Sequence, residues 1–238
     1  DEGKYQGNEG ASACNECGDG FTCPKGSVVQ IPASCEAGTY LDSASDACVG
    51  CPAGSVCAGG ASPPKPCPRG GYCVAGVSQP TNCPAGRYGS ETGLSDASCS
   101  GECAHGYCCE AGSVSSKAAA CAEGTYGAAT GLVAQANCTV CPAGTYCFAG
   151  STAPTSCSKG TYAATEQSQL CNACPEGKYQ DSEGQTTCKS CPPGRFCEAG
   201  SATPLLCPAG TFGNASGLRG IGNCEDAPPG FYAQAGSI

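Results

Sequence analysis

The sequence predicts a small disulfide-rich fold: an elongated tandem array of short modules built from turns and short β-hairpins, with little regular secondary structure. Three observations lead there. Of 238 residues, 26 are cysteine, 37 glycine and 18 proline. Leu, Ile, Val and Phe together number only 24, and Met and Trp are absent. The cysteines recur with the same few neighbours along the whole chain.

A chain so poor in large apolar side chains cannot bury enough surface to offset its conformational entropy. Disulfides must take the place of an oil-drop core, which implies folding in an oxidising compartment. An enzyme domain of ordinary packing is excluded on that ground, and no apolar run is long enough for a membrane span in this segment. The formal charge of −9 is spread, with no basic stripe to neutralise phosphates, so nucleic acid is not an expected partner.

Two module types emerge when the cysteines are aligned, with positions counted from the opening cysteine. Type A reads C-x-x-G-x-[YF] and closes on a second cysteine after twelve to sixteen intervening residues; type B reads C-P-x-G-x-[YF]-C-x-x-G, as in Cys141 to Gly150. The order is type A at 1–16, B at 17–34, A at 35–50, two B at 51–82, A at 83–102, B at 103–120 and A at 121–140. It continues with B at 141–156, two A at 157–190, B at 191–206, A at 207–226 and a degenerate B at 227–238. That makes about fourteen modules of about 17 residues. Asp1–Gln6 matches Pro175–Gln180, which places the opening cysteine of the first module just before residue 1 and reads the chain as an excerpt of a longer array.

Every module carries glycine at +3, from Gly3, Gly20 and Gly38 to Gly230, and every type B module carries a second glycine at +9. Eight modules have proline at +1, which suits a type I turn with Pro at i+1 and Gly at i+3. Every type A module has an aromatic residue at +5, expected to pack on a disulfide and on the neighbouring module.

Internal differences constrain the cysteine pairing. The last module loses both type B cysteines together, at Ala227 and Ala233, so those two positions pair with each other. Type B also follows type B directly, and type A follows type A, so each module needs its own bond. The expected type B bonds are Cys17–Cys23, Cys51–Cys57, Cys67–Cys73, Cys103–Cys109, Cys141–Cys147 and Cys191–Cys197. The expected type A bonds are Cys35–Cys48, Cys83–Cys99, Cys121–Cys138, Cys157–Cys171, Cys174–Cys188 and Cys207–Cys224. Cys14 is left over because its partner would precede residue 1. Cys108 is surplus, either a free thiol or one half of an intermolecular bond.

Five C-x2-C pairs, such as Cys138/Cys141 and Cys188/Cys191, raise zinc and redox readings. Here they are only the seams between modules, and the seam widens at Cys99/Cys103. His105 is the single histidine, expected as an exposed turn residue, so no catalytic, cofactor or metal site is expected and the chain does not read as an enzyme. Asp42, Asp46, Asp181 and Glu183 lack the spacing of a calcium loop and read as surface acids. Asn214 and Asn137 begin N-glycosylation sequons, Asn214 being the better placed because Cys138 must form a disulfide. Ser/Thr/Pro-rich tails at 151–156 and 201–204 are either O-glycosylated or plain spacers.

Strings such as Cys141-Pro142-Ala143-Gly144-Thr145-Tyr146-Cys147 and Cys83-Pro84-Ala85-Gly86-Arg87-Tyr88-Gly89 resemble ephrin-receptor-like cysteine-rich repeats. Long arrays with the type B string are similar to those in large surface proteins of algae and protists, including flagellar-hair (mastigoneme) proteins. The resemblance implies an extracellular or cell-surface, non-enzymatic array. The expected role is a structural one: a disulfide-stapled rod in a filament, fibre or flagellar-hair-like appendage, self-associating or bound to an axial partner chain, and glycosylated. A ligand-binding or adhesive stalk of a receptor is the alternative, its best candidate region being the irregular modules from Cys99 to Cys121.

Overall fold

The computed structural model describes residues 2–7, 13–18, 21–32, 34–60 and 62–238. Asp1 and Gly20 of the repeat register lie outside the described residues. Contact clustering gives two compact units, one of residues 1–103 and 109–118 and one of residues 104–108 and 119–238.

The local rule is the same in both units. Positions +4 and +5 form a short strand, and the two residues before the next opening cysteine form its antiparallel partner. Thr145–Tyr146 thus pairs with Thr155–Ser156, and Thr211–Phe212 with Glu225–Asp226. Among the described residues there are thirteen hairpins; twelve follow this rule, Ile31–Pro32 lies two residues further from Cys35, and the longest joins Thr39–Asp42 to Ala47–Gly50. Two 3-10 turns, Gln135–Asn137 and Ile221–Asn223, are the only helical segments described. Among the described residues no helix is long and apolar enough to cross a membrane.

The strand begins only after a tight turn, and that turn sits one residue later than the Cys-Pro-x-Gly pattern suggested. The N–H at +4 donates to the carbonyl at +1, as Thr145 does to Pro142 at 3.2 Å and Arg87 to Pro84 at 3.0 Å. Glycine therefore occupies i+2 and not i+3, and its φ lies between +75° and +89° at every described +3 position. A type II turn needs that positive φ at i+2, whereas a type I turn does not. Where +4 is threonine its hydroxyl also donates to the +1 carbonyl, at 2.7 Å in Thr145 and Thr161. In most type B modules the +10 N–H donates to the +7 carbonyl in the same way, with Gly26, Gly112, Gly150, Gly200 or Gly236 at i+2.

Modules are joined by backbone. The +3 glycine N–H donates to the +6 carbonyl of the next module, and its own carbonyl accepts from that module's opening residue. Gly144 shows both, to Ala163 O at 2.9 Å and from Cys157 N at 3.0 Å. The degenerate module keeps the joint, with Gly210 N–H to Ala233 O and Ala227 N–H to Gly210 O, each 2.9 Å.

The +3 glycine also meets the module after next. A Cβ built on Gly144 would lie 2.2 Å from Gly184 O, one on Gly160 2.2 Å from Gly200 O, and one on Gly54 2.4 Å from Gly93 O. No side chain fits such a gap, so glycine at +3 is required twice, by φ and by space. The partner in the later module is itself a loop residue of positive φ. Gln167, at φ 62°, is the one described case in which a larger residue fills that place.

These two requirements separate experimentally. Gly210 has positive φ and nothing within 4 Å of a built Cβ, whereas Gly144 has both constraints. Gly210→Ala should cost about 1–2 kcal/mol of local stability, the penalty of a left-handed conformation. Gly144→Ala should cost more and loosen the modules opening at Cys141, Cys157 and Cys174 together. Native-state hydrogen exchange would measure both.

Candidate functional site

The chemistry-bearing residues of this chain are its cysteines, and they form its interior. Among the described residues 18 of the 21 buried apolar residues are cysteine, with Ala163, Phe196 and Ala233 the others. Twelve disulfides are present: Cys17–Cys23, Cys35–Cys48, Cys51–Cys57, Cys67–Cys73, Cys83–Cys99 and Cys103–Cys109. The remainder are Cys121–Cys138, Cys141–Cys147, Cys157–Cys171, Cys174–Cys188, Cys191–Cys197 and Cys207–Cys224. Each lies within one module, so the two cysteines of a C-x2-C seam belong to different bonds.

The two module types solve one packing problem. Position +6 is buried in nearly every described module. Type B puts its second sulfur there. Type A puts a small residue there instead, Gly89, Gly127, Ala163 or Gly213, because the opening cysteine then bonds to a later one. A Cβ on Gly89 would lie 2.9 Å from Cys83 Sγ, and one on Gly213 3.2 Å from Cys207 Sγ. Gln180 fills the same place at 2 % exposure, with both ends of its amide satisfied: Nε2 donates to Thr187 O at 2.7 Å and Oε1 accepts from Ser182 N at 3.1 Å. Gln6 donates to Ala13 O across the same seven-residue spacing, which carries the sequence match of these two modules into the structure.

The aromatic residues at +5 do less than expected. Tyr40, Tyr88, Tyr126, Tyr146, Tyr162 and Tyr179 are half-buried, and only Phe196 is enclosed, at 6 % exposure. The +0 and +6 side chains take the interior, and the rings lie over it.

Cys108 occupies the +5 place, in the strand Tyr107–Cys108, and is 2 % exposed. The neighbouring Tyr107 supplies the aromatic ring from +4. Cys14 is exposed and takes part in none of the twelve disulfides. His105 is exposed, and its Nδ1 lies 2.7 Å from Ala128 O in the next module, a bond in which the ring nitrogen donates.

The acids serve their own loops. Asp42 accepts from Ser45 Oγ at 2.7 Å, which holds its carboxyl below the ordinary range, with a further bond from Ala44 N. Asp181 is held below its ordinary value first by the hydrogen bond from Lys189 Nζ at 2.6 Å. Asp96 accepts from Ser98 N at 2.9 Å, and the Ser98 hydroxyl lowers its pKa most. Among the described residues no three His, Cys, Asp or Glu side chains are grouped to hold a metal ion. Arg87–Glu102 at 3.6 Å and Lys4–Glu16 at 4.0 Å bridge hairpin strands at the surface, where such pairs contribute little.

A recess of about 320 Å³ is bounded by Tyr146, Phe148, Ser156, Thr161 and Leu170. Tyr146 and Phe148 meet edge to face with centroids 5.1 Å apart. Nothing in the sequence marked this place, because Phe148 and Leu170 are single apolar residues in variable loops.

Residues 160–204 match the family described as tyrosine-protein kinase ephrin type A/B receptor-like. No curated protein matches the chain. The matched segment includes the module opening at Cys174 and most of the one opening at Cys191, and most described modules outside it use the same turns and joints. The chain is a cysteine-rich, disulfide-linked repeat array that is ephrin-receptor-like over residues 160–204.

The pairing logic can be tested at the module that lacks sulfur. Ala233 is 5 % exposed in the place of a type B cysteine. The double variant A227C/A233C should form a thirteenth disulfide, detectable as the absence of new thiols. It should stabilise that module on the order of 2 kcal/mol by closing a seven-residue loop. Either single variant should add a reactive thiol and no stability.

Proposed function

We propose that this chain is a structural unit of an extracellular filament, fibre or flagellar-hair-like appendage, acting as a disulfide-stapled rod that self-associates or lines an axial partner chain. The observation that supports this reading most is the repeated joint. Among the described residues each module is tied to the next through the same glycine, by backbone bonds that do not depend on which side chains the loops carry. Stability in such an arrangement is nearly a sum of module and nearest-neighbour terms, so length can grow without a growing core. The disulfides and the ephrin-receptor-like modules point to a location outside the reducing cytosol.

The reading is non-enzymatic. Twenty-four of the 26 cysteines are locked in cystines, the single histidine is spent on a backbone carbonyl at the surface, and the lowered carboxyls cap their own loops. A scaffold held by main-chain bonds leaves loop side chains available for lateral contacts, which suits assembly. The alternative, a ligand-binding or adhesive ectodomain, draws support from the recess around Tyr146, Phe148 and Leu170, whose exposed ring and leucine face open solvent.

Negative-stain microscopy of secreted protein separates the two. Regular filaments or fibre bundles are the expected result. Dispersed monomers that retain a protein ligand, and lose it on Phe148→Ser, would transfer the assignment to the ectodomain reading.

A further inference from the structure

We propose that Asn214 carries an N-linked glycan and that Asn137, the other sequon asparagine, does not. This rests on the extracellular reading only as far as passage through a secretory compartment, not on filament formation.

The two asparagines differ in what the fold asks of them. Asn137 ends the 3-10 turn Gln135–Asn137, and its Oδ1 accepts the Ala134 N–H at 3.2 Å. The middle residue of its sequon, Cys138, is bonded to Cys121, and the third, Thr139, is paired in a strand with Tyr126. The module opening at Cys207 has the same turn at Ile221–Asn223, and there Asn223 Oδ1 accepts from Arg219 N at 3.0 Å and Gly220 N at 3.2 Å. Asn223 is followed by Cys224 and Glu225, which is no sequon. Asparagine at this place is thus explained by the turn, and the threonine after Cys138 makes a sequon by coincidence.

Asn214 stands at +7 of its module, where the other type A modules carry Gly7, Asp42, Ser90, Ala128, Ala164 and Asp181. The fold does not ask for asparagine there, and its side chain forms no hydrogen bond with the described residues. Asn214, Ala215 and Ser216 are all exposed, on the crest of a loop whose feet are tied down. Gly213 N–H donates to Ser237 O at 3.0 Å, Gly217 N–H to Cys191 O at 2.7 Å, and Leu218 O accepts from Cys197 N at 2.9 Å. A glycan on Asn214 meets no packed neighbour, and the Ser216 hydroxyl is open to the transferring enzyme. Asn137 and Thr139 are also exposed, but closure of Cys121–Cys138 competes with transfer and then fixes the sequon in the turn and strand.

The transfer balances with a lipid-pyrophosphate-linked oligosaccharide as donor. Asn214 Nδ2 attacks the anomeric carbon and forms the C–N bond. The anomeric C–O bond to the pyrophosphate breaks, the lipid pyrophosphate leaves with the electron pair, and the amide gives one proton to the transferring enzyme.

The test uses the full chain secreted from cultured animal cells, with intact mass before and after peptide-N-glycosidase and peptide mapping of the Asn-to-Asp conversion. One occupied site is expected, with the conversion at position 214. Ser216→Ala and Asn214→Gln should each abolish the glycan, while Thr139→Ala, which keeps the Asn137 turn, should leave it unchanged. A secreted, disulfide-complete chain without glycan, or with the glycan at Asn137, overturns the proposal. Glycan at Asn214 in a protein that never forms filaments would count against the structural role alone.

Discussion

At most of the described joints a glycine in left-handed conformation stands where three modules meet. Its φ reverses the chain into the hairpin, its N–H and C=O bind the next module, and its missing side chain admits a carbonyl from the module beyond. Everything else in the fold is compatible with variation. Prolines come and go at +1, aromatic rings move between +4 and +5, and one module dispenses with its disulfide. The joint at Gly210 survives that loss, because main-chain groups make it and the buried alanine at 233 keeps its place. Backbone geometry sets the register, and sulfur fills the space it leaves.

This ordering explains why a chain with so few large apolar residues can hold a fixed structure. Each disulfide closes a short loop, which trims the entropy of the unfolded chain by about 2–3 kcal/mol per bond, a model-dependent figure. The cystines also exclude water from the small interiors between turns. Because the opening cysteines are enclosed and the type A closing cysteines are less so, the interior of each module lies at its +0 and +6 positions. The half-buried tyrosines then form a shoulder between interior and solvent.

Much of this was legible in the sequence, for a definable reason. Where a feature is local and repeats, comparison of modules exposes it: Ala227 and Ala233 identified the type B pair, and adjoining modules of one type showed that each closes on itself. The turn type was misplaced by one residue because Cys-Pro-x-Gly fits two turn frames, and only the φ of the glycine distinguishes them. The contact between Gly144 and Gly184 could not be read at all, since it joins loops two modules apart and leaves no signature but glycine. Asn137 looked like a sequon, yet its equivalent at Asn223 shows that the turn itself uses the amide.

The account stands or falls on closure of each module by its own bonds. Mass-spectrometric disulfide mapping of the secreted protein, digested at acidic pH without reduction, tests this most directly. The prediction is twelve linkages, each joining two cysteines of one module, with Cys138 linked to Cys121 and Cys141 to Cys147. Linkages that run across the seams, such as Cys138 to Cys141 or Cys188 to Cys191, would contradict it.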